Sequence, residues 1–230
     1  MYFEDPTEFE EYLSPIGGDV LIRPAVGTSF SAHINMKQLE RAGLFTITAD
    51  SFRVMKEPQN DFCGLTIPLS APFSTSHRGK RRTYGPSSAH MLASGHAFDL
   101  SAKSNTHFLV SNFFTRPICE YTRNILQSAH PDLSLLHNDV TLTNTGSQLL
   151  RSVARAWSLL NSDAPQNRIA LVELEDDLVA NFVMYANDNV REQKATDTRT
   201  SYRVSRVEEF IYSNLSEPIT RDQLAEVSET

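Results

Sequence analysis

Cysteine is scarce in this chain: Cys63 and Cys119 are the two among 230 residues. That is too few for a disulfide framework or a closed structural zinc site. Long apolar runs are missing as well. No stretch approaches the roughly 20 apolar residues of a membrane-spanning helix. The N-terminal Met1-Tyr2-Phe3-Glu4-Asp5 is acidic where a secretory leader is basic and then apolar. Glycine and proline number 9 and 11, with 21% charged against 40% hydrophobic residues, which excludes collagen, disordered and rod-like compositions. Positive charge is in deficit, and a net charge of -7 argues against a surface that grips nucleic acid as a whole. These absences point to a soluble, cytoplasmic globular chain, comprising one large domain or one domain with part of another.

What is present changes character once along the chain. Up to about Phe114 the apolar residues recur with period two in short runs. Phe45, Ile47 and Ala49 alternate with Thr46 and Thr48, and Cys63, Leu65, Ile67 and Leu69 alternate with Gly64, Thr66, Pro68 and Ser70. Runs of this kind between turn signals indicate an all-β sandwich or barrel. His77-Arg78-Gly79-Lys80 reads as a hairpin tip. Pro68 has no amide to donate, so its strand is expected at an edge or a bulge.

After Pro117 the period becomes helical. A short helix is expected from Pro117 to about Ser128. A second runs from about Gly146 to Leu160, and a third from about Asn167 to Ala186, the two forming an antiparallel hairpin. Residues 187–200 are polar and read as an interdomain linker. Tyr202 to Asn214 is amphipathic. Beyond Glu217-Pro218, Thr220 and Gln223 have capping-box spacing, with Ile219 and Leu224 placed for a hydrophobic staple and a new helix starting at Arg221. Thr230 follows within a turn or two, and no recognition helix is reached.

Arg206-Val207-Glu208-Glu209-Phe210-Ile211, Leu215, Glu217-Pro218-Ile219-Thr220 and Leu224-Ala225 resemble the opening of the DNA-binding domain of AraC/XylS-family transcription regulators. Upstream, Leu65-Thr66-Ile67-Pro68-Leu69-Ser70, Leu92-Ala93-Ser94 and the helical hairpin resemble, in order, the effector-binding half of the XylS-like branch. The resemblance implies an α+β chain: a cupin-like antiparallel β-barrel, a helical hairpin, and the first helices of a helix-turn-helix domain. The expected divisions are 1–145 for the effector-binding barrel, 146–187 for the dimerisation hairpin, 188–200 for the linker and 201–230 for an incomplete DNA-binding domain. Implied partners are a small-molecule effector, a second copy of the chain, and operator DNA and RNA polymerase for an intact protein; no membrane is involved. Both recognition helices are absent, so the chain is expected to be a deliberately shortened one, unable to read an operator.

The remaining chemical signals favour no enzyme. His90, His96 and His107 offer neither a His-x-His pair nor a carboxylate in register, so no metal and no cofactor are expected. Gly85-Pro86-Ser87-Ser88-Ala89 approximates a nucleophile elbow, but a strand-like run follows where a helix is needed. In the acidic run Glu173, Glu175, Asp176 and Asp177, residues 173, 176 and 177 share the side of the helix opposite the apolar stripe, and the run reads as a solvated face, not a divalent-metal site. Arg78, Lys80, Arg81 and Arg82 read as exposed charge at the hairpin tip. What is left is a ligand pocket inside the barrel. Phe30, Ile34, Phe45, Ile47, Met55, Met91 and Phe108 are candidate walls. Arg23, Arg53 and His33 are candidate anchors, an arginine fork being suited to a carboxylate effector. Leu171, Leu174, Leu178 and Phe182 are the candidate dimer contacts. Two other readings stand beside this one: a cupin-fold metalloenzyme, and a ligand-independent regulator governed by a protein partner.

Overall fold

The computed structural model describes residues 1–77, 80–86, 88–103, 105–124, 132–136, 139–140, 144–162, 167–213 and 220–229. The alternating half forms β1 (Tyr2–Phe3), β2 (Val20–Pro24), β3 (Ala32–Gln38), β4 (Ala42–Ala49), β5 (Phe52–Lys56) and β6 (Phe62–Pro68). It continues with β7 (Phe73–His77), β8 (Lys80–Tyr84), β9 (Ala89–Leu92), β10 (Phe98–Ala102), β11 (Thr106–Phe114) and β12 (Asp139–Val140). These make a seven-stranded sheet in the order β1-β3-β4-β11-β6-β9-β12 and a five-stranded sheet in the order β2-β5-β10-β7-β8. Every pairing is antiparallel. The architecture is α+β and cupin-like. The two sheets face one another and, among the described residues, no ladder closes them into a barrel.

Helix α1 (Pro6–Gly17) starts where Asp5 accepts a 2.7 Å bond from the Thr7 amide, with Pro6 just inside. It ends at Gly18, whose φ of 71° is a conformation that only glycine adopts without strain. Helix α2 (Thr115–Asn124) begins two residues before Pro117; the part of the expected helix beyond Asn124 lies outside the described residues, as do Arg78 and Gly79 of the hairpin tip and Ile219 of the staple. Helix α3 (Asn144–Leu160) matches its expected span. The β6 strand is not an edge: it lies between β11 and β9. Pro68 is tolerated because β9 pairs only Gly64 to Thr66, so no neighbour on that side asks Pro68 for an amide.

Helix α4 differs most from expectation. It runs unbroken from Arg168 to Ser213, so residues 188–200 are helical, not an irregular linker. Between Pro165 and Pro218 the chain has neither proline nor glycine, and Arg191-Glu192-Gln193-Lys194-Ala195 are good helix formers. Polarity there removes burial but not helicity. Among the described residues Val190 is the last of α4 in the core, and the turns that follow it, from Arg191 to Lys194, are polar. Helix α5 (Arg221–Glu229) carries the capping box: the Thr220 amide donates to Gln223 Oε1 at 2.8 Å, and the Gln223 amide to Thr220 Oγ1 at 3.3 Å.

The two faces of the seven-stranded sheet feed two cores. Leu44, Cys63, Leu65, Met91, Leu109 and Phe113 face α3 and α4. Phe45, Ile47 and Phe108 face the other sheet and α1. Period two sorts each strand between them.

Candidate functional site

Between the sheets lies a cavity of about 110 Å³. Its walls come from β4 (Phe45, Ile47), β11 (Phe108, Val110) and β10 (Phe98, Leu100), and Phe9 and Leu13 of α1 cover it. Gly64, in the middle of β6, contributes space: a methyl group there would come 3.4 Å from Asn112 Oδ1 and 3.6 Å from Leu92 Cβ. Asn112 Nδ2 donates to the Ile16 carbonyl at 3.1 Å, tying the last turn of α1 to the central strand.

One cation belongs to this wall. Lys56 ends β5, on the same face as Phe52 and Val54, and is 7% exposed. Its Nζ stands 3.5 Å from the Phe62 ring centroid and, among the described residues, makes no hydrogen bond or ion pair. Burial pushes its ammonium down from 10.5 to about 8, against the upward pull of Asp61 and Asp19. The aliphatic stem lies comfortably among apolar groups, and the ring face offsets part of the lost hydration.

The structure sorts the sequence candidates clearly. Phe45, Ile47 and Phe108 line the cavity; Phe30 and Ile34 belong to the same core without lining it. Met55 points away, paired across the ladder with Leu21 on the outer face. Met91 is fully buried, but toward the helices. None of the three chosen anchors enters. Arg23 and Arg53 are exposed cross-strand neighbours on the outside of the five-stranded sheet, and Arg53 forks Asp99 at 2.8 and 2.6 Å. His33 is exposed on the outer face of β3. Each was displaced by one pleat, since neighbouring residues of a strand face opposite ways. Lys56 was the missed residue, and its signal was the same alternation: positions 52, 54 and 56 share a face.

The candidate dimer contacts are likewise redistributed. Leu178 and Phe182 are fully buried within the chain, where Phe182 stacks on Phe113 with centroids 4.1 Å apart. Leu174 packs against the same core, and Leu171 is half-buried. The exposed apolar residues of the hairpin are Leu159, Ile169, Val172 and Met184. Nor is the acidic run of α4 wholly solvated. Glu175 is buried; its Oε1 accepts the Arg41 amide at 2.5 Å, and Arg41 Nη2 reaches Glu175 at 3.3 Å and Asp176 at 2.5 Å. Of the basic cluster, Arg82 pairs with Asp139, which also accepts the Tyr84 hydroxyl at 2.7 Å, while Arg81 is exposed. No group of three or more His, Cys, Asp or Glu side chains among the described residues is placed to hold a metal. No helix there is long and apolar enough to cross a membrane.

Two facing antiparallel sheets around a mostly apolar cavity, with helices on one outer face, define a cupin-like domain. The chain belongs to the AraC-binding-like domain family, which matches residues 18–183. Among solved structures it is similar to the AraC-like transcriptional activator CuxR, at 11% identity and a TM-score of 0.60, over 100% of this chain and 84% of that one. A cupin superfamily protein from Desulfitobacterium hafniense matches at 14% identity and a TM-score of 0.33, over 36% of this chain and 76% of that one. No curated protein matches the sequence.

Proposed function

We propose that this chain is the ligand-sensing and dimerisation part of a bacterial AraC/XylS-type transcription regulator whose effector is a small organic acid held between the sheets. The observation that carries the reading is Lys56, a buried cation that no carboxylate among the described residues hydrogen-bonds or ion-pairs, in a mostly apolar cavity. A carboxylate entering such a space needs a charged, hydrogen-bonding partner, and the ammonium needs the same in return. Lys56, and not an arginine fork, is the cation at the cavity wall.

The same strand that lines the cavity supports a route to α4. On β11, Phe108, Val110 and Asn112 face the ligand space, while the intervening Leu109, Ser111 and Phe113 face the helices. A shift of β11 on ligand binding moves Phe113 against Phe182. Dimerisation falls to the exposed tip of the helical hairpin, where Ile169 is 71% and Val172 47% exposed. Operator and RNA polymerase contacts belong to an intact regulator.

Thermal-shift titration with short-chain and aromatic monocarboxylates tests the effector class. At about 100 times its Kd, an acid raises native stability by about 2.7 kcal/mol. Lys56→Met retains the fold and loses about 2–5 kcal/mol of that binding. Binding also weakens as pH rises above about 8, where Lys56 loses its proton while the acid stays ionised. A wild type that answers to neutral compounds and to no acid overturns the assignment. Sedimentation of wild type and Val172→Asp tests the dimer: monomeric wild type at about tens of micromolar ends it.

A further inference from the structure

We infer that the cavity also takes small apolar aldehydes, which Lys56 holds covalently as an imine. This rests on the cavity being a ligand site, as proposed above, and departs from that reading in the chemistry of the ligand. Three features of the geometry converge. The Lys56 amine is buried at the wall of the cavity, its neighbours there are mostly aromatic and aliphatic, and among the described residues no acceptor or carboxylate engages Nζ. A lysine desolvated in an apolar pocket is the usual setting for an amine nucleophile. With Asp19 and Asp61 as the acidic groups acting on it, Lys56 still titrates near 8 and not 10.5. At neutral pH its neutral fraction therefore exceeds that of an ordinary lysine by on the order of a hundredfold.

The step balances without any redox partner. The lone pair of the neutral amine forms a C–N bond to the carbonyl carbon as the C=O π pair moves to oxygen, and one proton passes from nitrogen to that oxygen to give a carbinolamine. The nitrogen lone pair then forms C=N as the C–O bond breaks, and the hydroxyl departs as water carrying the second proton lost from nitrogen. One water leaves for each imine made. An apolar lining holds back the water that would reverse the reaction. The size of the space limits the partner: about 110 Å³ is smaller than the ~150 Å³ cavity that admits benzene, so a short aliphatic aldehyde fits.

The test is to incubate the full chain with butanal and cyanoborohydride near neutral pH, then map butylated lysines by mass spectrometry. Lys56 is expected to be modified at least about tenfold faster than the exposed Lys103 and Lys194. Gly64→Ala, which narrows the cavity without a steric clash, slows butylation at Lys56 and leaves the two exposed lysines unchanged. An unmodified Lys56 beside reacted surface lysines overturns the inference, and so does a Gly64→Ala rate equal to wild type. Added butyrate separates this from the acid reading. Butylation of Lys56 that butyrate does not slow supports the imine and overturns the acid effector alone; a butyrate-induced rise in melting temperature with no butylation overturns the imine alone.

Discussion

The seven-stranded sheet presents apolar side chains on both faces, and the two faces are filled differently. Toward the helices, Leu44, Leu65, Leu109 and Phe113 meet Leu149, Val153, Leu178 and Phe182, all at 3% exposure or less. The charges at that margin are paired, Arg41 with Glu175 and Asp176. Toward the second sheet the same strands leave a cavity, and β5 of that second sheet brings to its wall Lys56, which no carboxylate among the described residues ion-pairs. One face is packed for stability. The other keeps unfilled volume and a buried ammonium with no ion-pair partner among the described residues, a local cost of the kind functional sites commonly carry.

Truncating one apolar side chain on each face sharpens that contrast most. Phe182→Ala removes the stack on Phe113 from a filled core and is expected to cost about 3–5 kcal/mol in urea denaturation. Val54→Ala enlarges a space that already exists and is expected to cost about 1 kcal/mol. Comparable losses per methylene at the two sites would erase the difference between the faces. Next in size is Glu175→Ala, which strips the Arg41 amide and guanidinium of a buried partner while leaving Asp176; a loss of about 2–3 kcal/mol is expected.

On the cavity side the sign reverses. Lys56→Met is expected to raise stability by about 1–2 kcal/mol at neutral pH, because an unpaired buried charge is replaced by an apolar chain of similar length. The pH dependence follows from the lowered folded value. Between about 8 and 10.5 the unfolded lysine binds a proton that the folded one has released, so wild-type stability rises with pH across that window. The advantage of Lys56→Met in melting temperature should shrink over the same window, and a constant advantage from pH 7 to 11 would refute the buried-charge explanation. The smallest effect is expected at Ser111, whose buried Oγ has no hydrogen-bond partner among the described residues. Ser111→Ala should be neutral or stabilising by up to about 1 kcal/mol in the same denaturation assay.

Much of this architecture was legible in the residues. The period-two runs located β4 and β6, the stripe of Leu149, Val153 and Trp157 located α3, and the Thr220 and Gln223 spacing located the start of α5. Errors arose where local sequence carries no information about partners. The polar stretch 188–200 looked like a linker because Val190 is its one large apolar residue, yet nothing in it breaks a helix. Leu178 and Phe182 looked free for a second chain because a stripe does not disclose which apolar surface covers it. The burial of Glu175 against Arg41 was not legible because that partner stands 134 positions away.

The site shows the same division. Alternation by itself determined that residues 52, 54 and 56 share one face of β5 and that residues 53 and 55 share the other. Which of those faces is inside was settled only when β10 and β2 flanked β5 and the second sheet closed over it. A strand's pleat has a local origin in backbone geometry, whereas burial is a property of what packs against it. Arg53 and Lys56 are equally cationic in sequence; the tertiary structure placed one against Asp99 in solvent and the other, with no ion pair among the described residues, at the wall of the cavity.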